Sequence, residues 1–84
     1  MPPQRRREPR SPEHAALGEA VRRLRLEAGL SQEELAERAG KDFTLIGGIE
    51  RGQRNPSFET LLRIAAGLGT TIGAIATLAD EVQG

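Results

Sequence analysis

The chain has 84 residues, and its formal net charge is zero because twelve Lys and Arg balance twelve Asp and Glu. It has no cysteine and a single histidine, which excludes a disulfide framework, a zinc site and a Ser-His-Asp triad, so we expect neither a metal nor a cofactor. The length predicts one small domain, and the neutral charge lacks the basic signature that is typical of nucleic-acid binders.

The first eleven residues are rich in arginine and proline and carry four arginines against Glu8. They show no apolar periodicity, so we predict a disordered basic tail over residues 1–11. A signal peptide would require an apolar run after the arginines, and none follows them. The longest uncharged stretch, residues 64–79, is shorter than the roughly 20 apolar residues of a membrane span. We therefore expect a cytoplasmic protein without a membrane partner.

Signals for the start and end of helices follow in dense succession. Ser11 and Pro12 are typical of an N-cap and a first helical residue, and Gly29 ends the helix that they predict. The stretch 31–34 is a capping box, which predicts a second helix that ends at Gly40.

Three more helices complete the chain. Asp42 predicts the cap of a short third helix, from Phe43 to about Arg51. Ser57 and Thr71 predict the starts of the fourth and fifth helices. The predicted fold is therefore an all-α five-helix bundle over residues 12–80, with a C-terminal tail at residues 81–84.

Residues 30–52 form the most informative unit of this pattern. A capped helix is followed by a three-residue turn around Gly40 and by a second short helix. Ala36 provides the small side chain that two closely crossing helices require. This arrangement is typical of a helix-turn-helix, whose second helix enters the major groove of DNA.

Longer motifs extend this interpretation. They are Leu30-Ser31-Gln32-Glu33-Glu34-Leu35-Ala36, Ala39-Gly40, Ile49-Glu50-Arg51-Gly52 and Arg54-Asn55-Pro56-Ser57. Together they resemble the phage-repressor/Cro-like (xenobiotic response element type) helix-turn-helix family. Residues 48–57 look most like controller proteins of restriction–modification systems. The resemblance covers residues 15–79 and implies a lambda-repressor-like DNA-binding domain that regulates transcription as a homodimer.

The resemblance also implies roles for individual residues. The recognition helix is expected at about residues 42–51, and the operator is expected to be double-stranded DNA with two half-sites. The positions that match DNA contacts are Gln32, Phe43, Thr44, Gly47, Gly48, Arg51 and Arg54. Arg25 and Glu50 match a buried structural ion pair. The apolar residues of the fifth helix exceed what one core face can use, which predicts a dimer interface of Ile72, Ile75, Leu78 and Val82.

Several alternatives stay open at this point. Phe43 either meets a thymine methyl group or folds back as a hydrophobic staple, and Gly47 and Gly48 either let DNA approach the backbone or are merely tolerated. The basic tail either contacts DNA or is solvated. A protein-interaction module or an antitoxin subunit with weak base readout is the alternative function. No enzyme and no small-molecule effector is expected.

Overall fold

The computed structural model describes residues 8–84, and the predictions for residues 1–7 lie outside the described residues. The helices are α1 (Pro12–Glu27), α2 (Gln32–Ala39), α3 (Phe43–Glu50), α4 (Phe58–Leu68) and α5 (Ile72–Gln83). No strand occurs in the described part of the chain, so the all-α prediction is confirmed. Within residues 8–84, no single helix is long and apolar enough to cross a bilayer. The pair of α4 and α5 passes that test by length and composition but is bent by 96°.

All five helices begin at the caps that the sequence predicts. Each cap side chain accepts a hydrogen bond from a backbone N–H in the first helical turn, which satisfies a donor that the helix leaves unpaired. The cap residues are Ser11, Ser31, Asp42, Ser57 and Thr71. The capping box of α2 is complete, because Glu34 N donates to Ser31 Oγ at 3.0 Å and Ser31 N donates to Glu34 Oε1 at 2.8 Å.

These caps make the stability of the fold sensitive to acid. Backbone hydrogen bonds hold the pKa values of Glu13, Glu34 and Asp42 below their ordinary values. A carboxylate whose pKa is lower in the folded chain stabilises the fold above its unfolded pKa and loses that contribution as pH falls. We expect the free energy of unfolding, measured by urea titration, to fall below about pH 4.

The control for this expectation is Asp42→Asn, because asparagine also caps helices but does not titrate. Its stability should fall less steeply with acid than that of the natural chain. Parallel acid profiles for the two proteins would contradict a contribution from the Asp42 carboxylate.

The core lies where α1, α3 and α5 meet, and it continues between α2, α3 and α4. Contacts of α1 with α5 and with α3 join the first half of the core, and contacts of α2 with α4 and α3 join the second. The largest side chains that are wholly buried are Val21, Leu35, Ile46, Ile49, Ile64 and Ile75. Since two of these six lie on α3, this short helix is held mainly by packing and not by its own helix propensity.

Two glycines allow helices to approach each other closely. A Cβ on Gly18 of α1 would overlap the carbonyl oxygen of Ile49 and lie 2.5 Å from that of Glu50. A Cβ on Gly67 of α4 would lie 3.1 Å from Leu35 Cδ1 of α2. The absence of a side chain therefore sets the distance of α1 from the last turn of α3, and it matters less for α4 and α2.

Three predictions need correction. The helix α5 continues to Gln83, since Val82 extends its apolar spacing and is half-buried, so residues 81–83 are not a tail. Arg10 N donates to Gly52 O at 2.8 Å, so the segment just before α1 is held against the bundle and the predicted disorder ends earlier than residue 11. Ile75 is 1% exposed within the single chain, which contradicts its assignment to a dimer surface.

Candidate nucleic-acid interface

The turn between α2 and α3 sets the geometry of the candidate site. Gly40 adopts a left-handed φ of +68°, and Lys41 N donates to Ala36 O at 2.9 Å. This closes α2 in a Schellman-type end and redirects the chain at once into α3. Because Ile46 and Ile49 anchor the inner side of α3 in the core, its opposite side is presented to solvent.

The exposed start of α3 carries Phe43 and Thr44. Asp42 Oδ1 accepts hydrogen bonds from Thr44 N at 2.9 Å and from Thr44 Oγ1 at 3.0 Å. Phe43 is 45% exposed, so it is not buried as a staple would be, and its ring can make an apolar contact outside the chain. Both side chains lie on the surface where the resemblance places base contacts.

Gly47 and Gly48 do not expose bare backbone, which corrects the interpretation that DNA approaches there directly. A Cβ on Gly47 would lie 3.1 Å from Arg51 Nη1, and a Cβ on Gly48 would overlap Arg54 Cγ. Both glycines are buried beneath these arginine side chains. The apolar stem of Arg54 fills the space at Gly48, as long charged side chains commonly do, while the Arg51 guanidinium and the Gln32 amide oxygen lie over Gly47.

Arg51 and Arg54 both keep their charge at the surface. Arg51 Nε donates to Gln53 Oε1 at 3.1 Å, and the backbone of Arg54 is held by a 3.2 Å hydrogen bond from its N–H to Gly48 O. In the described range, neither arginine forms an ion pair with a carboxylate. Their guanidinium groups therefore remain available to an anion, and a phosphate is the anion whose geometry suits them.

A buried polar network connects the interface to the rest of the bundle. Arg25 Nε donates to Glu50 Oε2 at 2.6 Å and Arg25 Nη2 donates to Glu50 Oε1 at 2.9 Å, so the implied ion pair is present and bidentate. The remaining guanidinium nitrogen, Nη1, donates to Leu30 O at 2.9 Å. The hydrogen bond to Glu50 raises the pKa of Arg25. This pair connects the end of α1 to the end of α3 and to the start of α2.

Gln32 belongs to the same network. Its Nε2 donates to Glu50 Oε1 at 3.0 Å, and the side chain is half-buried. Because an amide nitrogen carries two hydrogens, one remains for a further acceptor. The position at the first turn of α2 places that group where backbone N–H groups and the helix dipole favour an anion. Gln32 thus has a structural contact in addition to the phosphate contact that the resemblance implies.

Sequence reasoning missed two features of the site. The close approach of Gly18 to α3 was overlooked, although a glycine inside an apolar helical pattern is a usable signal. The contact between His14 Nε2 and Asn55 Oδ1, at 3.2 Å, joins residues 41 positions apart and leaves no trace in any local pattern.

The fold and site together define a helix-turn-helix protein: a capped helix, a left-handed glycine turn, and a second helix with a solvent-facing side. The helix-turn-helix family model matches residues 21–75 of the chain. The chain therefore belongs to the Cro/C1-type helix-turn-helix family, a class of non-enzymatic DNA-binding regulators, as the sequence motifs predict.

Individual relatives agree with this assignment. Control protein C.SmaI of Serratia marcescens is 43% identical over 61 residues, which is 73% of each chain. The HTH-type transcriptional regulator y4dJ of Sinorhizobium fredii is 40% identical over 65 residues, 77% of this chain and 84% of its own. The crystal structure of the restriction–modification controller C.AhdI from Aeromonas hydrophila superimposes with a TM-score of 0.76 at 38% identity, covering 77% of this chain and 98% of that one.

Proposed function

We propose that the chain is a sequence-specific, double-stranded-DNA-binding transcriptional regulator that acts as a homodimer and places α3 in the major groove. The proposal rests on the side chains that α3 and the residues after it present to solvent. Phe43 and Thr44 are exposed there, and Arg51 and Arg54 flank them without an ion pair in the described range.

These groups suit two parts of a duplex. The Thr44 hydroxyl can donate to or accept from a base edge, and the Phe43 ring can contact a thymine methyl group. The guanidinium groups of Arg51 and Arg54 suit phosphates, which fix the register without reading sequence. With Gly47 and Gly48 beneath arginine side chains, few groups read bases directly, so DNA shape supplies part of the specificity.

The alternative function is a protein-interaction module or antitoxin subunit that keeps the fold and reads bases weakly. The two glycines on α3 favour it, because they remove two side chains from the surface that would read bases. The arginines that cover them weaken this alternative, since a cationic cover favours an anionic partner. The DNA-binding regulator would act either as a restriction–modification controller or as a phage-type repressor, since relatives of both kinds match the chain.

The experiment that tests the proposal is selection of bound duplexes from a random pool, followed by anisotropy titration of the selected site. We expect a site with two half-sites about one helical turn apart, bound at least about 10³-fold more tightly than a scrambled duplex. Equal affinity for selected and scrambled duplexes at moderate salt would contradict the proposal and favour the interaction module.

Arg51→Ala should weaken binding to selected and scrambled duplexes alike. Loss of one phosphate contact is expected to lower the slope of log affinity against log salt by about 0.9. When salt rises from 50 to 200 mM, both proteins lose affinity, and the loss measured by anisotropy should be about 3.5-fold smaller for the variant than for the natural chain. The control is Arg23→Ala, since Arg23 is exposed on α1 and paired with Glu19. An unchanged slope would remove Arg51 from the phosphate contacts.

The proposed homodimer uses the half of the bundle formed by α4 and α5. Ile72, Leu78 and Val82 remain candidates, since each is half-buried and keeps part of its surface in solvent. On α4, Phe58 is 66% exposed and Leu62 is 43% exposed, and the two lie one helical turn apart on the same face. We therefore extend the candidate dimer surface from α5 to these two side chains.

Leu62→Lys is expected to shift the dimer toward monomer, because it would bury an unpaired charge in the interface. We expect a loss of at least tenfold in dimer affinity by sedimentation equilibrium. The control is Leu26→Lys, since Leu26 is similarly exposed but lies on α1. A natural chain that is monomeric at high micromolar concentration would contradict the homodimer, and an unchanged dimer in Leu62→Lys would exclude this part of α4.

A further inference from the structure

The side chain of Arg54 lies directly on the backbone of Gly48. A Cβ on Gly48 would overlap Arg54 Cγ and would lie 3.3 Å from Arg54 Cδ and 3.5 Å from Arg54 Cβ. Gly48 is buried, whereas Arg54 as a whole is exposed, so the arginine covers the glycine with its stem and keeps its charge in solvent. Any side chain at position 48 would therefore occupy the path that the Arg54 stem takes.

The backbone on both sides of this contact is fixed by hydrogen bonds. Gly48 O accepts from Gln53 N at 2.8 Å and from Arg54 N at 3.2 Å. Gly52 N donates to Ile49 O at 2.9 Å, and Ile49 is anchored in the core. Because these bonds hold the chain after α3 against its last turn, a Cβ at position 48 would have to displace the Arg54 stem rather than the backbone.

Gly47 shows why this effect is confined to position 48. A Cβ on Gly47 would lie 3.1 Å from Arg51 Nη1, which is the far end of a flexible side chain and can shift by a few tenths of an ångström. At Gly48 the overlap is with Cγ, the second carbon of the stem, so the whole Arg54 side chain would have to rotate. The missing side chain at position 48 thus determines the direction of an arginine.

The path over Gly48 brings the charge of Arg54 near the start of α3. The pKa of Asp42 is below its ordinary value mainly because Thr44 N and Thr44 Oγ1 donate hydrogen bonds to the carboxylate, and the positive charge of Arg54 acts in the same direction. A neighbouring charge lowers the pKa of a carboxyl only at short range. The guanidinium is therefore held near the helix turn that carries the candidate base contacts Phe43 and Thr44.

Resting on the proposed function, we propose that Gly48 is a positioning residue for DNA binding, which holds Arg54 in the orientation that binds a phosphate. An arginine that is free to rotate loses conformational entropy when it binds, and an arginine that already lies on its supporting surface loses less. Gly48 acts through Arg54 and needs no contact of its own with the duplex. Because phosphates carry no sequence information, the effect is the same on every duplex.

The first test is a double-mutant cycle of Gly48→Ala and Arg54→Ala, measured by anisotropy from 50 to 200 mM salt on the selected and scrambled duplexes. Each single variant is expected to weaken binding to both duplexes roughly tenfold and to lower the salt slope by up to about 0.9. The double variant should match Arg54→Ala, because no stem is left to displace. The control is Gly73→Ala in the first turn of α5, which should keep the natural affinity and slope.

Three results of this cycle would overturn the inference. In the first, Gly48→Ala binds with the natural affinity and slope. In the second, Gly48→Ala causes the same further loss in the Arg54→Ala background as it does alone, because the added methyl group would then interfere with the duplex itself. Either result, with site preference retained, leaves the proposed function intact. In the third, the natural chain binds selected and scrambled duplexes equally, so the proposed function fails and the inference fails with it.

The second test needs no DNA. Alanine is favoured over glycine inside a helix, so Gly48→Ala is expected to raise the Tm by about 4–8 °C in the Arg54→Ala background and by less in the natural chain, where it displaces the stem. By NMR titration, the pKa of Asp42 should rise in Gly48→Ala and in Arg54→Ala, since both remove the guanidinium from its vicinity. An Asp42 pKa that keeps its natural value in Gly48→Ala, or an equal rise in Tm in both backgrounds, would overturn the inference while leaving the proposed function intact.

Discussion

Glu50→Ala is expected to lower the free energy of unfolding by about 3–5 kcal/mol, measured by urea titration, because it leaves the Arg25 guanidinium buried without its carboxylate. The side chains of Arg25 and Glu50 are 10% and 3% exposed, so water cannot replace the lost partner. Gln32 Nε2 loses its acceptor in the same variant. We therefore expect the ion pair to act together with the packing of Ile46 and Ile49 in holding α3 in place.

A double variant separates the cost of a stranded charge from the contribution of the pair. Arg25→Met with Glu50→Met removes both charges, and such replacements are often neutral or stabilising relative to the buried pair. We expect it to be at least about 2 kcal/mol more stable than Glu50→Ala, though Leu30 O still loses its donor. The control is Glu59→Ala, whose exposed pair with Arg63 should contribute about 0–1 kcal/mol. A loss in Glu50→Ala as small as in this control would contradict a structural role for the pair.

Gly18→Ala is expected to destabilise the fold by about 1–3 kcal/mol, because its methyl group would overlap the carbonyl oxygen of Ile49. The carbonyl groups of Ile49 and Glu50 belong to the backbone of α3 and cannot rotate away as a side chain would. Helix propensity acts in the opposite direction, since alanine is favoured over glycine in a helix interior by roughly 1 kcal/mol. A net loss of stability would therefore measure the steric overlap.

Gly73→Ala is the matched control for this variant. Gly73 lies in the first turn of α5, and a Cβ there would find only Thr71 Oγ1, at 3.8 Å. We expect Gly73→Ala to stabilise the fold by up to about 1 kcal/mol in thermal and urea unfolding. If Gly18→Ala were as stable as Gly73→Ala, the close packing of α1 on α3 would not limit stability.

The location of helices was predictable because the relevant signals are local. A serine, threonine or aspartate cap satisfies backbone donors within its own first turn, whatever the rest of the chain does. A glycine at a left-handed position ends a helix for an equally local reason, as at Gly40. The predicted tail at residues 81–84 is wrong because no helix-ending residue precedes Gly84, and α5 runs to Gln83.

The sequence predicts which residues lie at the candidate site, but it does not predict which of them contact each other. The motif placed Phe43, Thr44, Arg51 and Arg54 near α3, yet it could not indicate that Arg54 lies over Gly48. That contact depends on the path of the chain after Gly52. Likewise, the burial of Ile75 depends on how α5 packs against α1, and its apolar character alone is equally consistent with a dimer surface.

Caps, turns and the helix-turn-helix motif can therefore be predicted from the sequence alone, since each depends on interactions within a few residues. The close packing of Gly18, the cover over Gly47 and Gly48 and the docking of Arg10 were decided by the tertiary structure. Gly18 meets a different helix, Arg10 meets the turn after α3, and the arginine cover depends on the path of the chain beyond α3, so their energies depend on distances that the packed structure sets. The same packing lets a chain of zero net charge present Arg51 and Arg54 over the two glycines of α3.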